Sequence, residues 1–489
     1  MPRSVQQMLV QQTGPGDVAR VALITSSPSV PADDDPAHDP PMLASVCDSV
    51  SPRRHRLTDD EVGAFLDRAR RLGHDPGRLL AGEAAETLTG IPTLEQMRQL
   101  SNVSPAERRA RQEGFFHRDL AVRSRLGQGI HDRCEAFVFA DGIADDADRA
   151  GLGPHLPFPA RWLSVLYRHV AAGEVWDLTV AHRALGIAER DDLLNVINVG
   201  ELVIDPGGRV IVQGNLLVLG CQHLRGPDRA RTAGDYQLGV LPTPFSVDRR
   251  FGPLHGRAGV PGSGGGAGQA GTRPPGVPTM LGLDLSEAPG GRMNGTDGGV
   301  AGRGSDGEPG RTGGATKIAE ITIGRLSGSL ALMAAGGRGG NGGPGGDGGP
   351  GGDGGDAAAG FRTPAGPVTS GRPGRGGRGG DGGNGGRGGN GGISSNVFVT
   401  LPDQMAGQLR VLTCPALGGT GGTGGRPGRN GRVGRIAGEP AASAGDPALA
   451  AASEETHGAP GKARRDGVQR PPPRVFVNAR PVEERRASP

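Results

Sequence analysis

The sequence is poor in the side chains that build an ordinary hydrophobic core. Phe, Trp and Tyr make up 3% of the 489 residues, and the apolar residue types together reach 35%. The apolar residues occur in short runs, so we expect no helix that crosses a membrane. One large globular domain is disfavoured, because such a domain needs many large apolar side chains.

Lysine, cysteine and net charge are scarce as well. Lys317 and Lys462 are the only lysines, and the formal net charge is +3. This balance gives no case for a strongly basic nucleic-acid binder. The four cysteines lie at positions 47, 134, 221 and 414, too far apart for a C-x-x-C redox pair or a clustered zinc site. Residues 1–14 lack a basic start followed by an apolar run, so no classical secretion signal is expected.

Glycine is what the chain has in excess: 92 glycines stand beside 41 prolines. Much of the glycine recurs at every third position. Five phased runs cover residues 256–271, 295–313, 336–356, 371–392 and 419–434. Three residues per turn is the geometry of polyproline II, which has no internal hydrogen bonds. A Gly-Gly-X repeat leaves two faces of such a helix bare, so backbones can approach closely. The pattern therefore predicts a bundle of polyglycine-II helices.

The predicted fold class is mixed: a helical N-terminal part, then short β-strands, then the polyglycine-II bundle tied by short strands. Thr58 and Glu61 form a capping box, and a second helix is expected from Ser104 to Leu126. A third helix or core segment is expected around Trp162–Val170. Between 195 and 220, β-branched runs and a Pro-Gly-Gly turn indicate strands, either hairpins or coils of a β-solenoid. The domains are predicted as disordered 1–56, mainly helical 57–174, β-rich 175–250, glycine-rich 251–440 and disordered 441–489.

Two other interpretations of the glycine runs stay open. A flexible glycine-rich linker needs neither the strict phase nor the strand-like segments between the runs. The first two runs, within 256–315, are G-x-y rather than Gly-Gly-X, so collagen-like trimerisation remains an alternative there.

The run 376–390, followed by the strand-like residues 397–400, resembles a known group, the polyglycine-II bundle proteins. It is similar in repeat type to the glycine-rich N-terminal domain of the Obg GTPases, to phage tail-fibre adhesin tips and to the repeats of PE-PGRS proteins. The resemblance covers about 251–440 and carries over no catalytic residue. Lys462 lacks the flanking residues of a P-loop.

The function that these patterns favour is non-enzymatic: a rigid slab that meets a protein or glycan partner, in adhesion or at a particle tip. Homo-oligomers and an extracellular, surface or particle-associated location are compatible with it. No cofactor, metal or catalytic residue is predicted. The surface-exposed repeat positions are predicted to be Arg338, Asn341, Asp347, Asp353, Arg378, Asp381, Arg387 and Asn390.

Two alternatives belong to other classes. Arg-Gly-Gly triplets occur in RNA-binding proteins, although aromatic residues do not interleave here. An uncharacterised enzyme in 57–250 is the second alternative, but no nucleophile with a paired base can be named from the sequence.

Overall fold

The structure, a computed structural model, describes residues 56–101, 106, 156–180, 193–228, 235–244, 254–288, 290–438 and 457–482. The predicted disorder in 1–56 therefore lies outside the described residues, apart from Arg56. The helix predicted from Ser104 to Leu126 lies outside them as well, apart from Ala106.

The described residues form three α-helices, seventeen strands and two 3-10 turns, at Gly290–Met293 and Asp403–Gln408. The helices are α1 (Asp59–Arg71), α2 (Pro76–Leu80) and α3 (Leu94–Leu100). The strands are β1 (Ala85–Ile91), β2 (Phe158–Val170), β3 (Val175–Asp177), β4 (Leu194–Ile204), β5 (Arg209–Gln213), β6 (Leu216–Arg225), β7 (Leu238–Leu241), β8 (Gly276–Thr279), β9 (Gly282–Leu285), β10 (Ala319–Ser327), β11 (Leu330–Ala335), β12 (Phe361–Thr363), β13 (Gly366–Val368), β14 (Val397–Thr400), β15 (Leu409–Cys414), β16 (Val475–Val477) and β17 (Arg480–Pro481).

Two large sheets organise the molecule, and the chain alternates between them. The first has the order β1-β2-β4-β6-β10-β14-β16-β17, and the second has the order β15-β11-β7-β5-β3. All pairs are parallel except the outermost pairs of the first sheet, β1 with β2 and β16 with β17. Since β4 and β5 lie in different sheets, the segment 195–220 is not a hairpin.

The predicted fold class, a helical N-terminal part followed by a polyglycine-II bundle, is wrong. The structure is mostly sheet, an eight-stranded mixed sheet and a five-stranded parallel sheet, with only short helices. Of the predicted N-terminal helices, the one behind the Thr58–Glu61 capping box is present as α1. The segment around Trp162–Val170 is strand β2, because its apolar residues pair in register with β4.

The core lies between the two sheets. Parallel strands covered on both faces read as continuous apolar runs, and β4 is buried at all but one of its eleven positions. Leu202, Val212, Ile321 and Leu332, from alternating sheets, belong to one apolar cluster. Helix α1 covers the outer face of the first sheet and buries Phe65 against Leu166.

The glycine-rich parts are connections that leave the sheets and return to them. We number them segments I (254–271), II (294–316), III (336–357), IV (371–394), V (416–436) and VI (457–470). Segments I, III and V leave the second sheet after β7, β11 and β15, and segments II, IV and VI return to β10, β14 and β16. Segment VI and β16 fall within the tail that was predicted to be disordered; its glycines 458, 461 and 467 continue the period of three.

Candidate binding surface

The six segments lie side by side and exchange backbone hydrogen bonds with a period of three residues. Gly342 donates its amide to the Thr420 oxygen of segment V at 2.8 Å, and Gly343 donates to Glu308 of segment II at 2.9 Å. Gly345 and Gly346 repeat this pattern one triplet later. In a Gly-Gly-X triplet, the first glycine thus reaches a parallel neighbour and the second reaches an antiparallel one. We call this arrangement of segments I to VI the glycine array.

The backbone amide of the third residue of the triplet, X, donates to a side-chain oxygen of a neighbouring segment instead of a backbone carbonyl. Asp347 accepts the amide of Arg426 through Oδ1 at 2.7 Å, and Asp353 accepts that of Arg432 at the same distance. On the opposite layer, Asp381 accepts the amide of Ala459 at 2.7 Å. An Asp or Asn at X therefore satisfies the outward amide of the next parallel segment. Such a bond to a charged acceptor is stronger than one between neutral groups.

These bonds change the role of the predicted surface positions. Five of the eight predicted residues are such acceptors: Asn341, Asp347, Asp353, Asp381 and Asn390. Asn341, Asp381 and Asn390 are half-buried, and the other two are exposed. Arg338, Arg378 and Arg387 are exposed, and Arg378 forms an ion pair with Asp381 at 3.1 Å. The acidic and amide residues at X therefore serve largely to hold the array together.

A row of arginines on segment V is the charged feature that sequence reasoning missed. Arg426, Arg429, Arg432 and Arg435 occupy consecutive X positions and are all exposed. The backbone amides of Arg426, Arg432 and Arg435 donate hydrogen bonds to the carboxylates of Asp347, Asp353 and Asp356, respectively. These carboxylates therefore bind backbone amides and not the guanidinium groups. Among the described residues, no ion pair involves these four guanidinium groups. We call these four residues the arginine row; the repeat of arginine at every third residue is visible in the sequence.

The arginine row has a fixed spacing because its backbone is hydrogen-bonded at each triplet. Extended chain advances by at most about 3.6 Å per residue, so neighbouring guanidinium stems stand about 10 Å apart. Arginine presents several donors in a planar fork that matches carboxylate, sulfate or phosphate. The row can therefore bind a partner that carries anionic groups in a regular line.

A second polar cluster lies under α1, on the outer face of the first sheet. His223 Nε2 stands 2.9 Å from the Ser327 hydroxyl, and His223 Nδ1 stands 3.5 Å from Glu201 Oε1. Burial, and the nearby charge of Arg325, lower the pKa of His223. The hydrogen bond from Arg325 lowers the pKa of Glu61, which anchors α1 above this cluster.

The composition of this cluster, Glu201, His223 and Ser327, invites comparison with a catalytic serine site. The geometry does not support it, because 3.5 Å is too long for the hydrogen bond that orients a catalytic histidine. Glu201 is fully buried and instead accepts the amide of Arg56 at 2.5 Å. We assign the cluster to the docking of α1, and the enzyme alternative stays a prediction.

Within the described ranges, no group of three His, Cys, Asp or Glu side chains is arranged to hold a metal ion. The helices described here include none that is long and apolar enough to cross a membrane. Cys221 is a buried free thiol whose pKa is raised to about 12 by burial, so it is not a nucleophile at neutral pH.

No protein family, curated protein or solved structure matches this chain. The resemblance to glycine-rich bundle proteins therefore stays a prediction from the repeat alone.

Proposed function

We propose that the chain is a non-enzymatic binding protein whose glycine array meets a surface partner, as in adhesion or at the tip of a particle. The observation that supports this proposal most is the arginine row: four exposed cations that form no ion pair within the described residues, on a backbone that is hydrogen-bonded at every triplet. Since the carboxylates of segment III bind backbone amides, they leave the guanidinium groups available to a partner.

The partner that fits the arginine row is an acidic polysaccharide. A polymer with a repeated carboxylate or sulfate can contact several arginines of a straight, regular row at once. Each exposed ion pair contributes little binding free energy, but the contributions of several pairs add up. RNA also carries a regular charge, but single-stranded RNA binding relies on aromatic side chains that stack on bases. Segments I to VI contain no Phe, Trp or Tyr.

The test is a binding measurement on the full chain with polygalacturonate, neutral dextran and poly(U) as probes. The native chain is expected to bind polygalacturonate in a salt-sensitive way and to ignore dextran. Changing Arg426, Arg429, Arg432 and Arg435 to Gln together is expected to weaken binding at least about tenfold, or about 1.4 kcal/mol.

The matched control carries Gln in place of Arg372, Arg375 and Arg378 on segment IV, whose X residues lie on the opposite layer. This control is expected to keep most of the binding. Equal binding by the native chain and the segment V variant would refute the proposal. Tighter, salt-sensitive binding of poly(U) would favour the RNA-binding alternative instead.

A further inference from the structure

Within the described residues, two hairpins form the distal end of the glycine array, opposite the two sheets. Strands β8 and β9 join segments I and II, and strands β12 and β13 join segments III and IV. The hairpins pack side by side, with Gly282 of β9 against the backbone of Arg362 in β12. The two hairpins therefore form one continuous surface.

Large apolar side chains are exposed at this end. Met280 and Leu281 form the turn of the first hairpin, and they are 105% and 75% exposed. Val277, in the preceding strand, is 69% exposed. The three residues are close in sequence and lie on one hairpin, so they form a small apolar tip. Exposed apolar groups that cluster in this way mark an interaction site more often than single exposed residues do.

Arginines lie at the same end of the array as the apolar tip. Arg362 lies on the second hairpin and Arg372 begins segment IV; both are exposed. Two acidic residues are also near. Glu287 is engaged by Arg292 at 2.9 Å, while Asp284 is exposed on β9. Within the described residues of the two hairpins and their flanks, 272–288, 290–293 and 358–372, arginine therefore outnumbers carboxylate by four to two.

We propose that the distal end docks onto an anionic lipid surface, with Met280 and Leu281 entering the interface and Arg362 and Arg372 meeting the headgroups. An apolar tip with a basic collar fits this partner because each component has a counterpart in the bilayer. A second copy of the chain fits less well, since two distal ends would bring like charges together. An acidic polysaccharide would leave Met280 and Leu281 in water. The inference is independent of the arginine row.

The experiment is flotation of the full chain with vesicles of equimolar phosphatidylcholine and phosphatidylglycerol, and with vesicles of phosphatidylcholine alone. The native chain is expected to float with the anionic vesicles and to be released by salt. The double variant Met280→Ser/Leu281→Ser is expected to lower the bound fraction about tenfold, because the apolar contact is lost. Arg362→Gln/Arg372→Gln is expected to weaken binding to anionic vesicles.

The matched control is Val260→Ser/Val300→Ser. These valines are 69% and 71% exposed but lie on the flanks of the array, in segments I and II. The control is expected to float as the native chain does. Failure of the native chain to bind anionic vesicles, or an equal loss of binding in Met280→Ser/Leu281→Ser and in the Val260→Ser/Val300→Ser control, overturns the inference. A dimer in sedimentation velocity that Met280→Ser/Leu281→Ser abolishes would overturn it in favour of contact between copies. Unchanged polygalacturonate binding by that variant would separate this result from the proposed function.

Discussion

At the scale of single residues, glycine in segments II to V is required because neighbouring backbones occupy the space of a side chain. A Cβ on Gly349 would collide with the Ser263 carbonyl oxygen, and one on Gly352 would collide with that of Gly266. Both obstacles are backbone atoms that themselves take part in hydrogen bonds, so they have little room to move. Gly266, at the edge of the array in segment I, meets nothing within 4 Å.

This difference predicts that the same change, glycine to alanine, has a large effect on stability at Gly349 and a small one at Gly266. Gly349→Ala is expected to lower the free energy of unfolding by more than about 2 kcal/mol, because the added methyl separates segments I and III. Gly266→Ala is expected to change it by no more than about 1 kcal/mol, since its site is open. Denaturant unfolding of the two variants measures both values. Equal stability of the two would show that the segments do not pack as described.

At the scale of elements, α1 and the residues that follow it pack against the outer face of the first sheet. His74 lies between α1 and α2, and its Nδ1 stands 2.7 Å from the hydroxyl of Ser164 in β2. Its Nε2 faces Thr87 in β1 at 3.4 Å. Burial lowers the pKa of His74 to about 4. The neutral imidazole is therefore part of the contact between helix and sheet.

Stability should fall in acid because of this contact. The pKa of His74 is lowered on folding, so the unfolded chain binds the proton more readily. The contribution is complete above the unfolded pKa of 6.5 and is lost as the pH falls towards about 4. The largest loss expected is about 3 kcal/mol.

His74→Gln removes the titration and keeps a polar side chain at the same place. The difference in unfolding free energy between native chain and variant should shrink as the pH falls from 7 to about 4. Chemical denaturation at a series of pH values measures it. Glu61 and the other carboxylates titrate in both proteins and cancel in the comparison. A difference that stays constant with pH would show that His74 is not buried as a neutral group.

At the scale of the whole molecule, part of this architecture could be predicted from the sequence and part could not. The alternating apolar residues of 317–323 and 396–401 mark strands, and they are β10 and β14. That β10 and β14 are parallel neighbours in one eight-stranded mixed sheet was not predictable, because periodicity does not reveal which strands pair. Of the two alternatives for Trp162–Val170, a helix or a core segment, the helix was wrong, since a short apolar run fits a buried strand or a helix equally.

The candidate binding surface could likewise be predicted only in part. The X positions were visible in the repeat, but the partners of Asp347 and Asp353 lie 79 residues further along the chain. Only the pairing of segments III and V shows that these carboxylates bind backbone amides. The apolar tip depends on the place of a hairpin at the distal end, which a sequence alone does not give.

The array also explains how a chain so rich in glycine can present a fixed surface. Each segment between two others has its amides engaged on both sides, as Gly342 and Gly343 show in segment III. The side chains at X then stand in rows whose spacing is set by the backbone. Both proposed binding modes depend on this rigidity.

Hydrogen exchange of glycine amides in the full chain, resolved by NMR, tests that central claim most directly. The amides of Gly342, Gly343, Gly345 and Gly346 have backbone acceptors, whereas within the described residues the amide of Gly266 has none. The account predicts that the first four exchange only through unfolding, with opening free energies of about 5 kcal/mol or more, while Gly266 exchanges rapidly. Rapid exchange of all five would contradict it, because the glycine segments would then behave as an unpaired linker.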